Sequence, residues 1–249
     1  LITNQYDKAT ESLSEAVKAN KNSIEIHFAL GNLLRRTGQL DKAISLHIDL
    51  LENREMSVNQ RESVQAELAQ DYYSAGLFDR SEELLLSLSN ENYKQFKLNT
   101  LLNIYVKERE WEKAIKMAEQ LEKSSGVSFR KEISHYFCEI AISLIISKNQ
   151  NQAKKSLLQA MDKHKNCVRA NILLGDIYEA DGKLDEAISS WRKVEYQKPE
   201  YLGLVASKIL DAYQKQNRID EGLSIISRYY DLYKLCLLYT SDAADDTPC

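Results

Sequence analysis

The side chains most capable of chemistry in this chain are its four histidines and four cysteines. His27, His47, His135 and His164 are scattered, and none stands beside another His or a Cys at metal-ligand spacing. His135 and Cys138 lie three residues apart, close enough on a helix to face one another as a Cys–His nucleophilic pair, although no third residue presents itself to orient the imidazole. Cys138, Cys167, Cys236 and Cys249 form no CxxC and follow no regular spacing, so neither a zinc site nor a disulfide framework is indicated. They read as small apolar helix residues in a reducing compartment. The acidic pairs Glu82-Glu83 and Asp185-Glu186 fall at helix starts, where the dipole favours negative charge. With no glycine-rich phosphate loop and no HExxH, these residues point to binding and not to catalysis: the chain is expected to be no enzyme, with no catalytic residue, no metal and no cofactor of its own.

The composition narrows what is bound. A 249-residue chain with 43% hydrophobic residues can build a large core, and only eight Gly and two Pro argue for nearly unbroken helix. A net charge of -4 and a pI near 5.7 give no electrostatic reason to expect nucleic acid or an anionic membrane as partner. The longest apolar cluster, IAISLII at 140–146, is too short to span a bilayer.

The elements that must position any binding residue follow from a repeat. In ANILLGDIYEADGKLDEAISSWRKVEYQKP (170–199), Leu174, Gly175 and Tyr178 share one face of a first helix, Asp181-Gly182 breaks it, and Ala187, Trp191 and Val194 share one face of a second. Aligning the chain on the small residue of the second helix gives Ala9, Ala43, Ser81, Ala114, Ala153, Ala187 and Gly222, at intervals of 34, 38, 33, 39, 34 and 35. Small residues where two helices touch, at a period of about 34, are the signature of the tetratricopeptide repeat. The expected fold is an all-α, right-handed superhelical solenoid of about six and a half helix pairs over residues 1–233.

First helices are predicted near 23–37, 58–74, 92–107, 131–147, 167–180 and 202–216, and second helices near 40–52, 78–87, 111–123, 150–163, 184–195 and 219–233. The two longer intervals put irregular loops at 53–58 and 124–130. Thr37-Gly38, Ala75-Gly76, Lys148-Asn149, Asp181-Gly182 and Gln216-Asn217 mark the turns, and Arg109 stands where a turn residue is due in repeat three, with Trp111 packing just beyond it. His47 takes the place of Leu85, Leu157 and Trp191 and reads as a packing residue. Because the chain opens on a second helix without its first, it reads as a fragment whose uncapped ends favour self-association. Residues 234–249 leave the repeat, and CLLYTSDAADDTPC from Cys236 reads as non-native, adapter-like sequence or as a frayed acidic tail.

Stacked pairs turn by a small rotation, so first helices line a concave channel. Counting from the small residues of the first helices, that channel receives Phe28, Asn32, Arg35 and Arg36, then Gln70 and Tyr73, then Asn99, Asn103 and Lys107. Asn can hydrogen-bond the backbone of an extended peptide, and Arg and Lys attract carboxylates. The fourth repeat offers Cys138, Ile142, Ile145 and Ile146, an apolar subsite or buried packing, and the fifth offers Asp176 and Glu179, so the charge changes sign along the array. Co-chaperones that hold a terminal carboxylate need Lys where Phe28 stands, which disfavours that mode.

LGNLLRRTGQLDKAISLHIDLL (30–51), QDYYSAGLFDRSEELL (70–85), WEKAIKMAEQL (111–121) and ISHYFCEIAISLI (133–145) resemble one bacterial family, the lipopolysaccharide assembly protein B family (LapB, also called YciM). The resemblance implies a cytoplasmic scaffold tethered to the inner membrane by an amino-terminal helix, with a carboxy-terminal rubredoxin-like domain holding iron or zinc on two CxxC pairs. It also implies that the scaffold presents the deacetylase LpxC to the protease FtsH, among inner-membrane regulators that restrain lipopolysaccharide synthesis. Neither anchor nor CxxC pair lies in this sequence. The rival expectations are a tetratricopeptide adaptor in envelope or pilus assembly and the repeat arm of a larger enzyme such as a glycosyltransferase.

Overall fold

The turn between the two helices of each pair is made by one backbone conformation recurring at one place. Gly38, Gly76 and Gly182 take φ of 76°, 75° and 74°, and the non-glycine residues Arg109, Lys148 and Asn217 take 58°, 60° and 57°. Each lies five residues before the small marker of its second helix. In each turn the N–H that follows this residue bonds back to the last turn of the first helix, as Gln39 does to the Leu34 carbonyl (2.8 Å) and Glu110 to that of Tyr105 (2.8 Å). This left-handed closure satisfies carbonyls that the helix end leaves open. Arg109 thus fills the turn position itself, with its side chain exposed. An L-residue is strained there and glycine is not. Arg109→Gly should raise the unfolding free energy by about 1 kcal/mol; a loss of stability in a urea titration would show that the Arg109 side chain matters more than its backbone.

The computed structural model describes residues 2–20, 23–52 and 56–233, and among these it contains helices and turns but no strand. The chain divides into two compact units, Leu1–Gly126 and Val127–Cys249. The first contains α1 (Ile2–Ala19), α2 (Ile24–Arg36), α3 (Leu40–Leu51), α4 (Val58–Ser74), α5 (Phe78–Ser87), α6 (Lys94–Lys107) and α7 (Trp111–Ser125). The second contains α8 (Arg130–Ile146), α9 (Gln150–Lys163), α10 (Val168–Ala180), α11 (Leu184–Arg192), α12 (Val194–Gln197), α13 (Gly203–Lys215) and α14 (Ile219–Tyr233). These bounds follow the expected helices within about two residues except at two places. The helix expected from residue 92 begins as a 3-10 turn, Glu91–Tyr93, which Asn90 opens by accepting the Asn92 N–H (3.0 Å). The helix expected over 184–195 breaks at Lys193, whose N–H bonds to Ser190 three residues back, and resumes as α12. Ser57 caps α4 in a reciprocal box with Gln60, closing the first irregular loop, and Gly126 (φ 73°) ends α7 at the second. The stretch 234–249 lies outside the described residues.

Packing explains why the marker must be small. Ala43, Ser81, Ala114, Ala153 and Ala187 are fully buried, Gly222 is buried, and only Ala9 in the leading helix is half-exposed. Four residues beyond the marker sits the side chain that fills the gap: His47, Leu85, Ala118, Leu157 and Trp191, each fully buried. The small first-helix positions of the same pairs hold Gly31, Ala69, Leu102, Ala141 and Gly175. The sizes compensate: glycine stands opposite His and Trp, alanine opposite Leu, and leucine opposite Ala. A Cβ added to Gly31 would come within 2.7 Å of His47 Nε2, and one added to Gly175 within 2.5 Å of Trp191 Cδ1. In these five pairs a smaller residue on one helix stands opposite a larger one on the other, as close packing demands. Around Trp191 the core of the second unit gathers Val168, Val194, Val205, Ile209 and Tyr229.

Candidate functional site

All nine candidate channel residues fall in the first unit, on α2, α4 and α6. Asn32, Arg36, Asn99, Asn103 and Lys107 are exposed, and Phe28, Arg35, Gln70 and Tyr73 are half-buried. On α6, Asn99, Asn103 and Lys107 recur every four residues, one row on one side of the helix. The Lys107 ammonium lies 4.9 Å above the Tyr73 ring and 5.5 Å from that of Phe78, so α4, α5 and α6 meet at a cation on an aromatic shelf. Asn99 donates to the Gln95 carbonyl (2.9 Å), an exchangeable bond within its own helix.

Of the four half-buried residues, Arg35 and Phe28 meet the buried Asp71 and His47. The Arg35 side chain, 12% exposed, donates to Asn32 Oδ1 (2.8 Å) and Glu67 (2.5 Å), and its Nε lies 3.2 Å from Asp71. Asp71 is fully buried and accepts from His47 Nδ1 at 2.6 Å. Phe28 meets the His47 ring edge-on at 5.9 Å. His47 is therefore the packing residue expected, and its buried bond to Asp71, which also faces Arg35, binds α2, α3 and α4 into one block. The signal for it lies in the sequence: Asp71 occupies a column where the other repeats hold Leu33, Ile104, Ile177 and Ala212, with Ser143 the one polar residue. This His–Asp couple resembles the base and orienter of a hydrolase, yet its second nitrogen, Nε2, is buried against Gly31 without a hydrogen-bond partner. No substrate atom can reach a nitrogen so placed.

The other chemistry-bearing residues also make contacts with neighbouring elements. The His135 ring receives the Arg169 guanidinium at 3.1 Å and has Glu139 at 3.5 Å. Burial, and then the Arg169 charge, hold His135 below the usual histidine range. Cys138, a candidate for the channel, is instead fully buried with its sulfur 3.7 Å from that of Cys167, and Ile142 and Ile145 are half-buried beside the exposed Ile146. Helical spacing within one repeat cannot show a contact made between two repeats. Asp185 and Glu186 sit in the first turn of α11 as expected, whereas Glu82 lies deeper in α5 and accepts from the Tyr105 hydroxyl at 2.6 Å, which with burial pushes that phenol well up. In the second unit Asp176 accepts from Trp191 Nε1 (3.0 Å) and Lys208 (2.6 Å), and Glu179 from Lys215 (2.6 Å). Lysines of the next first helix therefore offset the acidic charge expected there. Among the described residues no three His, Cys, Asp or Glu side chains group to hold a metal, and no helix is long and apolar enough to cross a membrane.

Comparison with known proteins agrees with this architecture. A tetratricopeptide-repeat family model matches residues 3–54 and 151–200, and a PPR-repeat model, also a helix-pair unit, matches 98–125. With the helix pairs described above, the fold is an all-α tetratricopeptide-repeat solenoid. The chain is 32% identical over 229 residues to lipopolysaccharide assembly protein B of Escherichia coli, an alignment covering 92% of this chain and 59% of that protein. The protein of the same name from Haemophilus influenzae is 32% identical over 230 residues, covering 88% of this chain and 58% of the relative. This chain thus spans somewhat under two thirds of the curated relatives it matches. Among solved structures, that of MamA protein aligns at 16% identity with a TM-score of 0.39, over 84% of this chain and 90% of that one, too remote to bear on function.

Proposed function

We propose that the chain is a member of the lipopolysaccharide assembly protein B family, being 32% identical to the Escherichia coli protein over 59% of that protein's length, and that it is a non-catalytic scaffold in lipopolysaccharide assembly, binding a protein segment along the first helices of its first unit. One observation carries the reading: α2 and α6 hold out Asn32, Arg36, Asn99, Asn103 and Lys107 as exposed amides and cations, with half-buried Gln70 on α4 between them. A carboxamide offers a donor and an acceptor together, which matches the alternating N–H and C=O groups of an extended backbone. Arg36 and Lys107 add positive charge near the two ends of this row and favour a segment with carboxylates. The His47–Asp71 couple, the pair that most resembles catalytic machinery, is fully buried, and this supports the non-enzymatic part of the proposal.

In its finer form the proposal makes the segment part of the deacetylase LpxC, held for the protease FtsH at the inner membrane. Binding of purified LpxC and of FtsH to the chain is the test. Asn99→Ala with Asn103→Ala should weaken the bound partner about tenfold, the loss of a little over 1 kcal/mol of hydrogen bonding, with the helical circular dichroism unchanged. Unaltered affinity would remove this row from the site. Capture of neither protein by the unsubstituted chain would return the role to a different envelope adaptor.

A further inference from the structure

Cys138 lies midway along α8, and Cys167 is the N-cap residue of α10, in the corner that follows α9. They are 29 residues apart in sequence and belong to successive repeats, yet their sulfurs are 3.7 Å apart and both residues are fully buried. A disulfide needs the sulfurs about 1.7 Å closer than this. The surroundings make the two thiols unequal. Cys167 stands at the start of a 13-residue helix, where unpaired N–H groups favour an anion. Arg169 is two residues on, its guanidinium shared between His135 (3.1 Å) and the Glu139 carboxylate (2.6 Å). Both thiols lie in one apolar cluster with Ala141, Ala153, Leu157 and Leu174, a setting that favours the neutral form, and Cys138, in mid-helix, has no helix N-terminus to offset it.

We propose that Cys138 and Cys167 are a redox dithiol, in which Cys167 attacks a hydroperoxide and Cys138 resolves the product to a disulfide that ties α8 to α10. In the first step the Cys167 thiolate attacks the terminal peroxide oxygen, the O–O bond breaks, and the departing oxygen takes a proton, leaving a sulfenic acid. In the second, the Cys138 sulfur attacks the sulfenic sulfur, its thiol proton leaves with the departing hydroxide, and the S–O bond breaks to release water. Two electrons pass from the sulfur pair to the peroxide. Entry is by opening of the corner 164–167, where Lys165 and Asn166 are exposed and two bonds hold the turn, Cys167 N–H to the His164 carbonyl (3.1 Å) and the Gln197 amide to the Lys165 carbonyl (3.0 Å). The disulfide then fixes the fourth helix pair to the fifth, so that the second unit resists opening in its oxidised form.

The test treats the folded chain with hydrogen peroxide and maps cysteine states on proteolytic peptides, which keeps Cys236 and Cys249 from being mistaken for the pair. The expected result is an intramolecular peptide link between Cys138 and Cys167, reversed by dithiothreitol. Serine is a good helix cap, so Cys167→Ser should fold; it should abolish the link, and Cys138→Ser should leave Cys167 as a sulfenic acid that dimedone labels. Both thiols remaining free while Cys236 and Cys249 oxidise, or dimedone labelling Cys138 in place of Cys167, would overturn the proposal.

Discussion

Gly175→Ala should destabilise the second unit, and Trp191→Leu added to it should restore much of what is lost. The added methyl would lie within 2.5 Å of the Trp191 ring, and Trp191 cannot retreat, because it is fully buried and its Nε1 is bonded to Asp176 (3.0 Å) and to the Ile172 carbonyl (3.2 Å). Overpacking of this kind costs about 1–3 kcal/mol. Truncation of the indole alone, Trp191→Ala, should cost about 3–5 kcal/mol through the cavity it leaves. The double substitution converts the pair to the Ala–Leu combination found in Ala69 with Leu85 and Ala141 with Leu157. The cycle from Gly175→Ala, Trp191→Leu and their combination should therefore show a favourable coupling of about 1–2 kcal/mol in denaturant melts. Additive costs would show that the two residues do not share one volume.

Asp71→Ala is the second large effect, expected to lower the unfolding free energy by about 3 kcal/mol. It leaves the His47 Nδ1–H with no acceptor in a fully buried site and takes one of the two carboxylates from Arg35. The figure sits at the low end of what breaking a buried pair costs, because Arg35 keeps Glu67 at 2.5 Å. Replacing both partners by the apolar residues of sister repeats, His47→Leu with Asp71→Ile, should recover that loss, since well-packed hydrophobic pairs match or exceed buried ion pairs. If Asp71→Ala melts like the unsubstituted chain, the contact contributes nothing. If the apolar pair fails to recover, Asp71 has a role beyond stability.

These expectations also mark what the sequence could tell. Helix ends, turns and the seven small markers were legible because each is fixed by local chemistry repeated at one period: glycine or its stand-in at positive φ, a small side chain where helices touch, and a large one four residues on. Asp71 with His47 and Cys138 with Cys167 were not read, because each pair joins different repeats through space and leaves no mark on periodicity within one helix. Asp71 did leave a weaker mark, as a carboxylate in a mostly apolar column. Placing Asn32, Asn99 and Asn103 on an exposed face followed from helical phase alone, and they are exposed. Arg35 shows the limit of phase, which gives the side a residue points to but not the partner already waiting there.

The measurement that bears most directly on the binding account is photo-crosslinking to purified LpxC from single positions. A benzophenone side chain placed at Asn32 or Asn103, on the first helices, should capture LpxC, and the same group at the exposed Ser45 or Lys116, on the second helices, should not. Capture confined to positions 45 and 116 would contradict it.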